Sequence, residues 1–104
     1  AWPIEYRSVR QDDIWISAAR GRPTVTLSVH QGVDHPDEPL FRASEEIFRR
    51  YDGRPHWGKV HFLNSKDFSQ IHPHWSDWWQ IRDHFDPKQL LLNPHLHKLR
   101  PDAD

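Results

Sequence analysis

The chain has 104 residues, enough for one domain that buries roughly 60–70% of its unfolded surface on folding. Its 14 basic and 15 acidic side chains give a net charge of −1, which provides no positive field for nucleic acid or an anionic membrane. The absence of cysteine excludes disulfides, thiolate metal ligands and a cysteine nucleophile.

The apolar content is low, whereas the aromatic content is high. Hydrophobic residues make up 36% of the chain and the mean hydropathy is −0.92, yet six tryptophans and five phenylalanines are too many for a disordered polymer. We therefore expect a thin core, with some aromatic side chains packing on a surface outside this chain. The chain begins at Ala1 and contains no methionine, so we also expect a fragment of a longer protein.

The first predicted strand lies in "IEYRSVR", residues 4–10. Polar and apolar side chains alternate there with a period of two, which is typical of a strand. Glu5 and Arg7 share one face of it, with about 7 Å between successive positions on that face. A short loop or irregular strand pair is expected over residues 11–23.

The second predicted strand is "TVTLSVH", residues 24–30, because β-branched residues favour extended backbone. Period two places Ser28 and His30 on the same face of this strand. A helix with an apolar face is predicted next, over residues 39–51, ending near Gly53. The positions that fall on this face are Leu40, Phe41, Ser44, Ile47, Phe48 and Tyr51.

The remaining elements are a third extended segment and two more helices. "KVHFL", residues 59–63, is predicted to be a strand, and Ser65 is predicted to cap a short helix that ends near Ile71. Pro73 is predicted to begin a helix that carries three tryptophans, followed by a coil or short turn. The order β, β, α, β, α, α predicts an α+β fold with an antiparallel sheet covered by helices.

Several motifs, in order, resemble one enzyme family. They are "IEYR", "DDIWIS", "GRPHWGK", "IRDHFDP" and "LNPHL". This series resembles the C-terminal end of the FAD-linked sugar-lactone and alditol oxidases, which include arabinono-, gulono- and galactono-lactone oxidases and dehydrogenases of the vanillyl-alcohol-oxidase superfamily. Each motif is weak alone, but the motifs occur in the right order and the resemblance covers almost all 104 residues.

The resemblance implies a domain assignment and a set of partners. Residues 1–104 are expected to form the C-terminal part of a substrate (cap) domain, and the FAD-binding domain is expected to lie N-terminal to it, outside this sequence. The implied cofactor is FAD, the implied substrate is a small sugar lactone or sugar alcohol, and molecular oxygen or another acceptor is expected to take the electrons.

The resemblance also implies site residues. Arg7 is expected to hydrogen-bond the oxygen of the carbon being oxidised, and Glu5 to orient Arg7 or bind a neighbouring hydroxyl. Lys59 is expected to lie beside the flavin and the reacting alcohol, and His56 to contact the flavin. Ser28 and His30 are expected to line the substrate pocket.

Three positions depart from the family pattern. Ser28 stands where alditol oxidases carry a histidine, and His30 where they carry a threonine. Because the Ser28 hydroxyl cannot act as a base, a simple linear polyol is not favoured as the substrate. Gln89 replaces a glycine in the "FDPKQ" turn, so we expect a changed turn if that position needs a positive φ.

Simpler interpretations remain open at this stage. Glu5 and Arg7 also fit an ordinary surface ion pair. Four imidazoles, His72, His74, His95 and His97, could hold zinc or copper, which would make the chain a metal-binding module. Exposed aromatic side chains alone would also fit a protein-interaction domain without catalytic activity.

Overall fold

The computed structural model describes residues 2–101, so Ala1 and residues 102–104 lie outside the described part. The chain divides into two compact units, the first formed by residues up to Asp13 and Ser17–Phe62, the second by Ile14–Ile16 and the chain from Leu63 onward. No helix in the described range is long and apolar enough to cross a membrane. The first unit contains β1 (Glu5–Val9), β2 (Thr24–Ser28) and α1 (Glu38–Arg50); the second contains α2 (Ser65–Ile71), α3 (Trp75–Phe85) and α4 (Pro94–His97).

The two strands pair antiparallel, as predicted, with Glu5 opposite Ser28. Continuing the same register places Pro3 opposite His30. Because proline has no N–H to donate, it cannot extend a ladder in the middle of a pair. The predicted strand through His30 is therefore wrong: β2 ends at Ser28.

One face of this small sheet is apolar and exposed. Tyr6 lies opposite Leu27, and their exposed fractions are 69% and 44%. The helix of the same unit, α1, packs on neither strand. The predicted helical cover is thus not provided by the described residues of this unit.

The first helix, α1, begins and ends one residue earlier than predicted. It has Glu38 in its first turn and Arg49 and Arg50 in its last, which suits the helix dipole. None of its residues is buried, and two positions of the predicted apolar face, Ile47 and Tyr51, are 51% and 81% exposed. The helix therefore lies on the surface of its unit.

The C-terminus of α1 is a Schellman motif. The Gly53 N–H donates to the Phe48 carbonyl (2.8 Å) and the Asp52 N–H donates to the Arg49 carbonyl (3.2 Å). Asp52 takes the left-handed conformation with φ 54°. Glycine is required at residue 53 for space, since a Cβ there would lie 2.7 Å from the Phe48 oxygen.

Residues 59–63 do not form the predicted third strand. No described segment pairs with them, and a lone strand leaves its backbone groups unsatisfied. The Phe62 N–H instead donates to the Glu45 carboxylate at 2.8 Å. A side chain of α1 thus satisfies a backbone group that the sequence pattern assigned to a sheet.

In the second unit, α2 ends at Ile71 as predicted, but it begins one residue earlier than predicted and has a different cap. Asn64 is the N-cap: its side chain accepts the Asp67 N–H, and the Asp67 carboxylate accepts the Asn64 N–H, each at 3.0 Å. This is a capping box. Ser65, the predicted cap, is the first helical residue and is buried.

The core of the second unit is aromatic. The Trp75 ring stacks on Phe68 with centroids 5.0 Å apart, and its indole N–H donates to the Leu99 carbonyl at 3.1 Å. Trp79 meets Trp75 edge-on. The helix α3 begins at Trp75 rather than at Pro73, with His74 as N-cap. The tryptophans of α3 therefore serve packing inside their own unit.

Charged groups close the same unit at the end of α3. Arg100 donates two hydrogen bonds to the Asp83 carboxylate, at 3.0 and 2.7 Å, and Arg82 donates a third at 2.8 Å. The hydrogen bonds from Arg100 and then Arg82 hold the pKa of Asp83 below its usual value. The network therefore needs an ionised Asp83.

The turn after α3 is built on Asp86. Burial alone would raise the pKa of Asp86, but hydrogen bonds from the Leu91 and Leu90 amides, together with Arg82, hold it below the usual value. Gln89 has φ 55°, a conformation that glycine adopts freely and other residues do not. The position thus keeps a positive φ although it carries a side chain.

Candidate active site

The first group of predicted site residues lies on one face of the β1–β2 pair. Antiparallel partners direct their side chains to the same side, so Ser28 lies beside Glu5 and on the same face as Arg7. Arg7 donates from Nε to Glu5 Oε1 at 3.0 Å and from Nη2 to the same oxygen. The structure therefore brings Glu5, Arg7 and Ser28 together.

The Glu5–Arg7 pair is open to solvent, with side chains 43% and 67% exposed. An exposed pair of this kind contributes at most about 1 kcal/mol to stability. The second Glu5 oxygen and the remaining Arg7 N–H groups are free for a ligand, because the ion pair uses one carboxylate oxygen only. The arrangement combines hydrogen-bond donors, an acceptor and a hydroxyl on one surface.

His30 is not part of this group in the way the sequence predicted. It lies two residues beyond the end of β2 and is exposed. The period-two argument that gave it the face of Ser28 holds only inside a strand. That His30 lines the substrate pocket therefore stays a prediction, and the position of His30 outside β2 does not support it.

The second group of predicted site residues, His56 and Lys59, lies on a tight turn. The Lys59 N–H donates to the His56 carbonyl at 2.9 Å, and the Gly58 N–H donates to His56 Nδ1 at 3.1 Å. His61 hydrogen-bonds the Trp57 carbonyl through Nε2 at 3.2 Å. The turn is thus closed by its own backbone and side chains.

The side chains of His56 and Lys59 are both exposed. Within residues 2–101 the Lys59 ammonium has no carboxylate partner, in contrast to the Arg7 guanidinium. A cation without an internal partner is available to a negatively charged or electron-accepting ligand. Lys59 and His56 therefore present one ammonium and one imidazole from the same four residues.

Arg54 supports this turn from its N-terminal side, a role that the sequence did not reveal. Its Nη1 donates to the Arg20 carbonyl at 2.6 Å and to the Ala18 carbonyl at 3.3 Å. Burial, and then repulsion from Arg22 and Arg20, holds the pKa of Arg54 below its usual value. Arg54 ties the segment before the turn to the loop that leads into β2.

The only signal for Arg54 in the sequence was its place inside the motif "GRPHWGK". A long-range bond from a side chain to a backbone carbonyl leaves no periodic pattern. Gly53 directly before it allows the close approach to α1 described above. The two residues together set where the turn begins.

The four histidines of the metal alternative have separate surroundings. His72 is buried against the Phe68 and Trp75 rings, whereas His74 stacks on Trp15 and hydrogen-bonds Asp77 at 2.8 Å. His95 and His97 lie on α4. Among the residues that the structure describes, three or more histidine, cysteine or acidic side chains are nowhere close enough together to hold a metal ion.

Comparison with known proteins agrees with the motif series. The family model for D-arabinono-1,4-lactone oxidase matches residues 1–99. The chain is 39% identical over 98 residues to L-gulono-1,4-lactone dehydrogenase of Mycobacterium tuberculosis (strain ATCC 25618 / H37Rv), which covers 94% of this chain and 23% of that protein. It is 33% identical over 102 residues to L-gulonolactone oxidase of Mus musculus, again covering 94% and 23%.

A more distant relative is alditol oxidase of a Streptomyces species, 31% identical over 96 residues, covering 91% of this chain and 23% of the relative. The chain thus spans about a quarter of the length of the curated relatives that it matches. The family match extends over nearly all of the chain and includes both groups of predicted site residues. The chain belongs to the D-arabinono-1,4-lactone oxidase family.

Proposed function

We propose that this chain is the C-terminal part of the substrate (cap) domain of an FAD-dependent oxidoreductase that oxidises an alcohol carbon of a sugar lactone or sugar alcohol. Family membership supports the class of reaction. The observation that carries the assignment to these residues is the Glu5, Arg7 and Ser28 cluster on one sheet face. The FAD-binding part is proposed to precede this chain.

The donor set of the turn fits a flavin. Lys59 offers an ammonium without a carboxylate partner in the described residues, and His56 offers an exposed imidazole. A flavin ring has several acceptor atoms and gains negative charge when it takes electrons, so a fixed cation and a donor suit it. FAD, when bound, accepts the hydride that leaves the alcohol carbon.

Arg7 is proposed to donate to the oxygen of the reacting alcohol. As that oxygen loses its proton, negative charge grows on it, and a charged donor stabilises the transition state more than the ground state. Glu5 holds the guanidinium through Nε and Nη2 and so fixes its direction. The free Glu5 oxygen can accept a hydrogen bond from a neighbouring sugar hydroxyl.

Ser28 is proposed to bind a hydroxyl of the sugar beside Glu5. Its side chain is small and neutral, and it is partly buried on the face that Arg7 shares. Lys59 is proposed to stabilise negative charge on the alcohol oxygen from the flavin side. The alcohol proton is proposed to leave to water, since the Glu5–Arg7 pair is open to solvent, so neither Ser28 nor Lys59 needs to move a proton.

Anaerobic mixing of the full-length protein with sugar lactones and linear polyols tests the proposal. Loss of the visible absorbance of oxidised FAD with L-gulono-1,4-lactone or D-arabinono-1,4-lactone supports it, and a weaker response to linear polyols fits Ser28. A full-length protein that binds no flavin, or whose flavin keeps its absorbance with all of these compounds, contradicts it. The rates at which air and an artificial acceptor re-oxidise the reduced flavin are then compared. Fast re-oxidation by air indicates an oxidase, and re-oxidation mainly by the artificial acceptor indicates a dehydrogenase.

A further inference from the structure

We propose that Gly58 is a positioning residue that holds His56 as the neutral Nε2–H tautomer, so that the ring presents one outward N–H donor to the flavin. The inference rests on the proposed function for its ligand.

The Gly58 backbone N–H can only donate, and it donates to His56 Nδ1 at 3.1 Å. An Nδ1 that accepts a hydrogen bond cannot carry a proton of its own. A doubly protonated ring has two donors and no acceptor, so it does not fit this bond. The proton of the neutral ring therefore lies on Nε2.

The bond also fixes the ring in space, because it joins a side chain to the backbone two residues ahead. The Lys59 N–H closes the turn on the His56 carbonyl at 2.9 Å. The His56 ring lies 6.3 Å from the Trp57 ring, nearly parallel to it. Backbone and ring contacts thus determine the direction of Nε2.

Glycine at residue 58 is part of this arrangement. A Cβ at that position would lie 3.3 Å from His56 Cε1 and 3.5 Å from Nδ1. The first of these distances is tighter than ordinary van der Waals contact, so the exposed ring would have to shift by a few tenths of an ångström. Gly58 therefore supplies the N–H and also leaves room for the ring above it.

The turn consequently presents two different donors. Lys59 provides a charged ammonium and His56 provides a neutral N–H. A neutral donor can face a carbonyl or ring nitrogen of the flavin without adding a second positive charge beside Lys59. An uncharged His56 is thus compatible with a cation three residues away on the same turn.

The tautomer is tested first, by nitrogen-15 NMR of the full-length protein carrying labelled histidine. The His56 signals are assigned by their loss in His56→Gln. We expect a protonated Nε2 and an unprotonated Nδ1 at neutral pH, with and without FAD. A protonated Nδ1, in either ring form, would overturn the proposal, and this readout requires neither substrate nor turnover.

The direction of the donor is tested by the reduction potential of bound FAD in two variants. His56→Gln keeps an N–H group near the Nε2 position, whereas His56→Asn keeps a polar group only near Nδ1. If the outward N–H favours the reduced form by one ordinary hydrogen bond, His56→Asn changes the equilibrium for reduction roughly fivefold, or about 20 mV to lower potential. His56→Gln should stay close to wild type.

Equal potentials in the two variants would overturn the proposal. His84→Asn, an exposed histidine on α3, is the matched control and should leave the potential unchanged. Failure of the proposed function is distinguishable, since it is a failure of lactones to bleach the flavin. In that case the NMR result still decides the tautomer.

Gly58→Ala tests the positioning role itself. It keeps the N–H but adds the Cβ that crowds the ring. We expect a shift of the potential in the same direction as for His56→Asn, but smaller, with the Nε2–H tautomer retained. An unchanged potential in Gly58→Ala would show that the glycine does not position His56.

Discussion

The two units of the chain differ most in where their side chains are buried. The first unit contains all six predicted site residues, but of its described residues only Ala19 is buried. The second unit contains none of these six residues and carries only the four histidines of the metal alternative. It holds the buried set Leu63, Ser65, Phe68, His72, Trp75, Trp79, Asp86 and Leu99. With so few buried side chains, the first unit gains little stability from its own core. The buried aromatic core of the second unit stabilises that unit from within.

The difference follows from the sequence chemistry of each unit. A sheet of two strands with an exposed apolar face is marginal in water. The second unit, closed by stacked aromatic rings and an arginine–aspartate network, contains five of the six buried hydrophobic residues of the described range. We therefore expect substitutions in the second unit to change stability, and substitutions in the first to change chemistry.

The largest expected effect is that of Trp75→Ala. Removing a fully buried tryptophan from the second unit should lower the free energy of unfolding by about 3–5 kcal/mol, because it leaves a cavity against Phe68 and Leu99. Hydrogen exchange of the α2 and α3 amides in the full-length protein measures it. Phe85→Ala, 80% exposed on the same helix, is the control, and an equal loss in both variants would contradict the assigned core.

The next effect lies in the first unit, at Arg7. Arg7→Ala removes the charged donor that we propose for the reacting oxygen, which should lower kcat/KM about 10- to 150-fold, corresponding to about 1.5–3 kcal/mol. FAD content and amide exchange in α2 and α3 should stay at wild-type levels. Loss of flavin to the same degree as loss of turnover would show that Arg7 has been misplaced.

A smaller effect is expected for Asp83→Asn, and it should depend on pH. The folded pKa of Asp83 lies below its unfolded value, so its contribution to stability is present above about pH 4 and is lost as the pH falls through the folded value. At pH 6 the variant should lose about 1–2 kcal/mol.

Near pH 3 the difference between Asp83→Asn and wild type should shrink. Urea unfolding at both pH values, followed by far-ultraviolet circular dichroism, measures it. Asp34→Asn at an exposed loop position is the control. A loss that is the same at pH 3 and pH 6 would mean that ionised Asp83 is not what the arginines stabilise.

The smallest expected effect is a gain. Gln89 has φ 55°, which an L side chain adopts at a cost, so Gln89→Gly should raise the stability of the second unit by about 0.5–1 kcal/mol. Lys88→Gly, next to it and without a positive φ, should instead lower stability slightly. Thermal unfolding measures the stability of both variants. A Gln89→Gly variant that is less stable than wild type would contradict the claim that the positive φ of Gln89 is strained.

Local patterns predicted most of the fold. Alternation identified β1 and the shared face of Glu5 and Arg7, and the apolar spacing identified α1 to within one residue. The end of α2 at Ile71 was also predicted. The helix begins one residue earlier than predicted, with Asn64 rather than Ser65 as its cap, because an amide and a hydroxyl are both good caps.

The errors came from partners that a local pattern does not contain. Residues 59–63 have strand composition, but the Phe62 N–H is satisfied by Glu45 of α1. His30 lies outside β2 because the strand register places Pro3, which has no N–H to donate, opposite it. The motif order suggested the candidate site, but the bonds of Arg54 to Ala18 and Arg20 are long-range and could not be read from spacing.

Lys59 provides the most direct test of the central claim, that the core-poor unit supplies the chemistry. Anaerobic stopped-flow mixing of full-length Lys59→Ala with a sugar lactone measures the rate constant of flavin reduction at saturation and the substrate Kd. We predict a rate constant lower by about 10²–10³, with a nearly unchanged Kd and unchanged amide exchange in α2 and α3. An unchanged rate constant with a weakened Kd would make Lys59 a binding residue only and contradict the account.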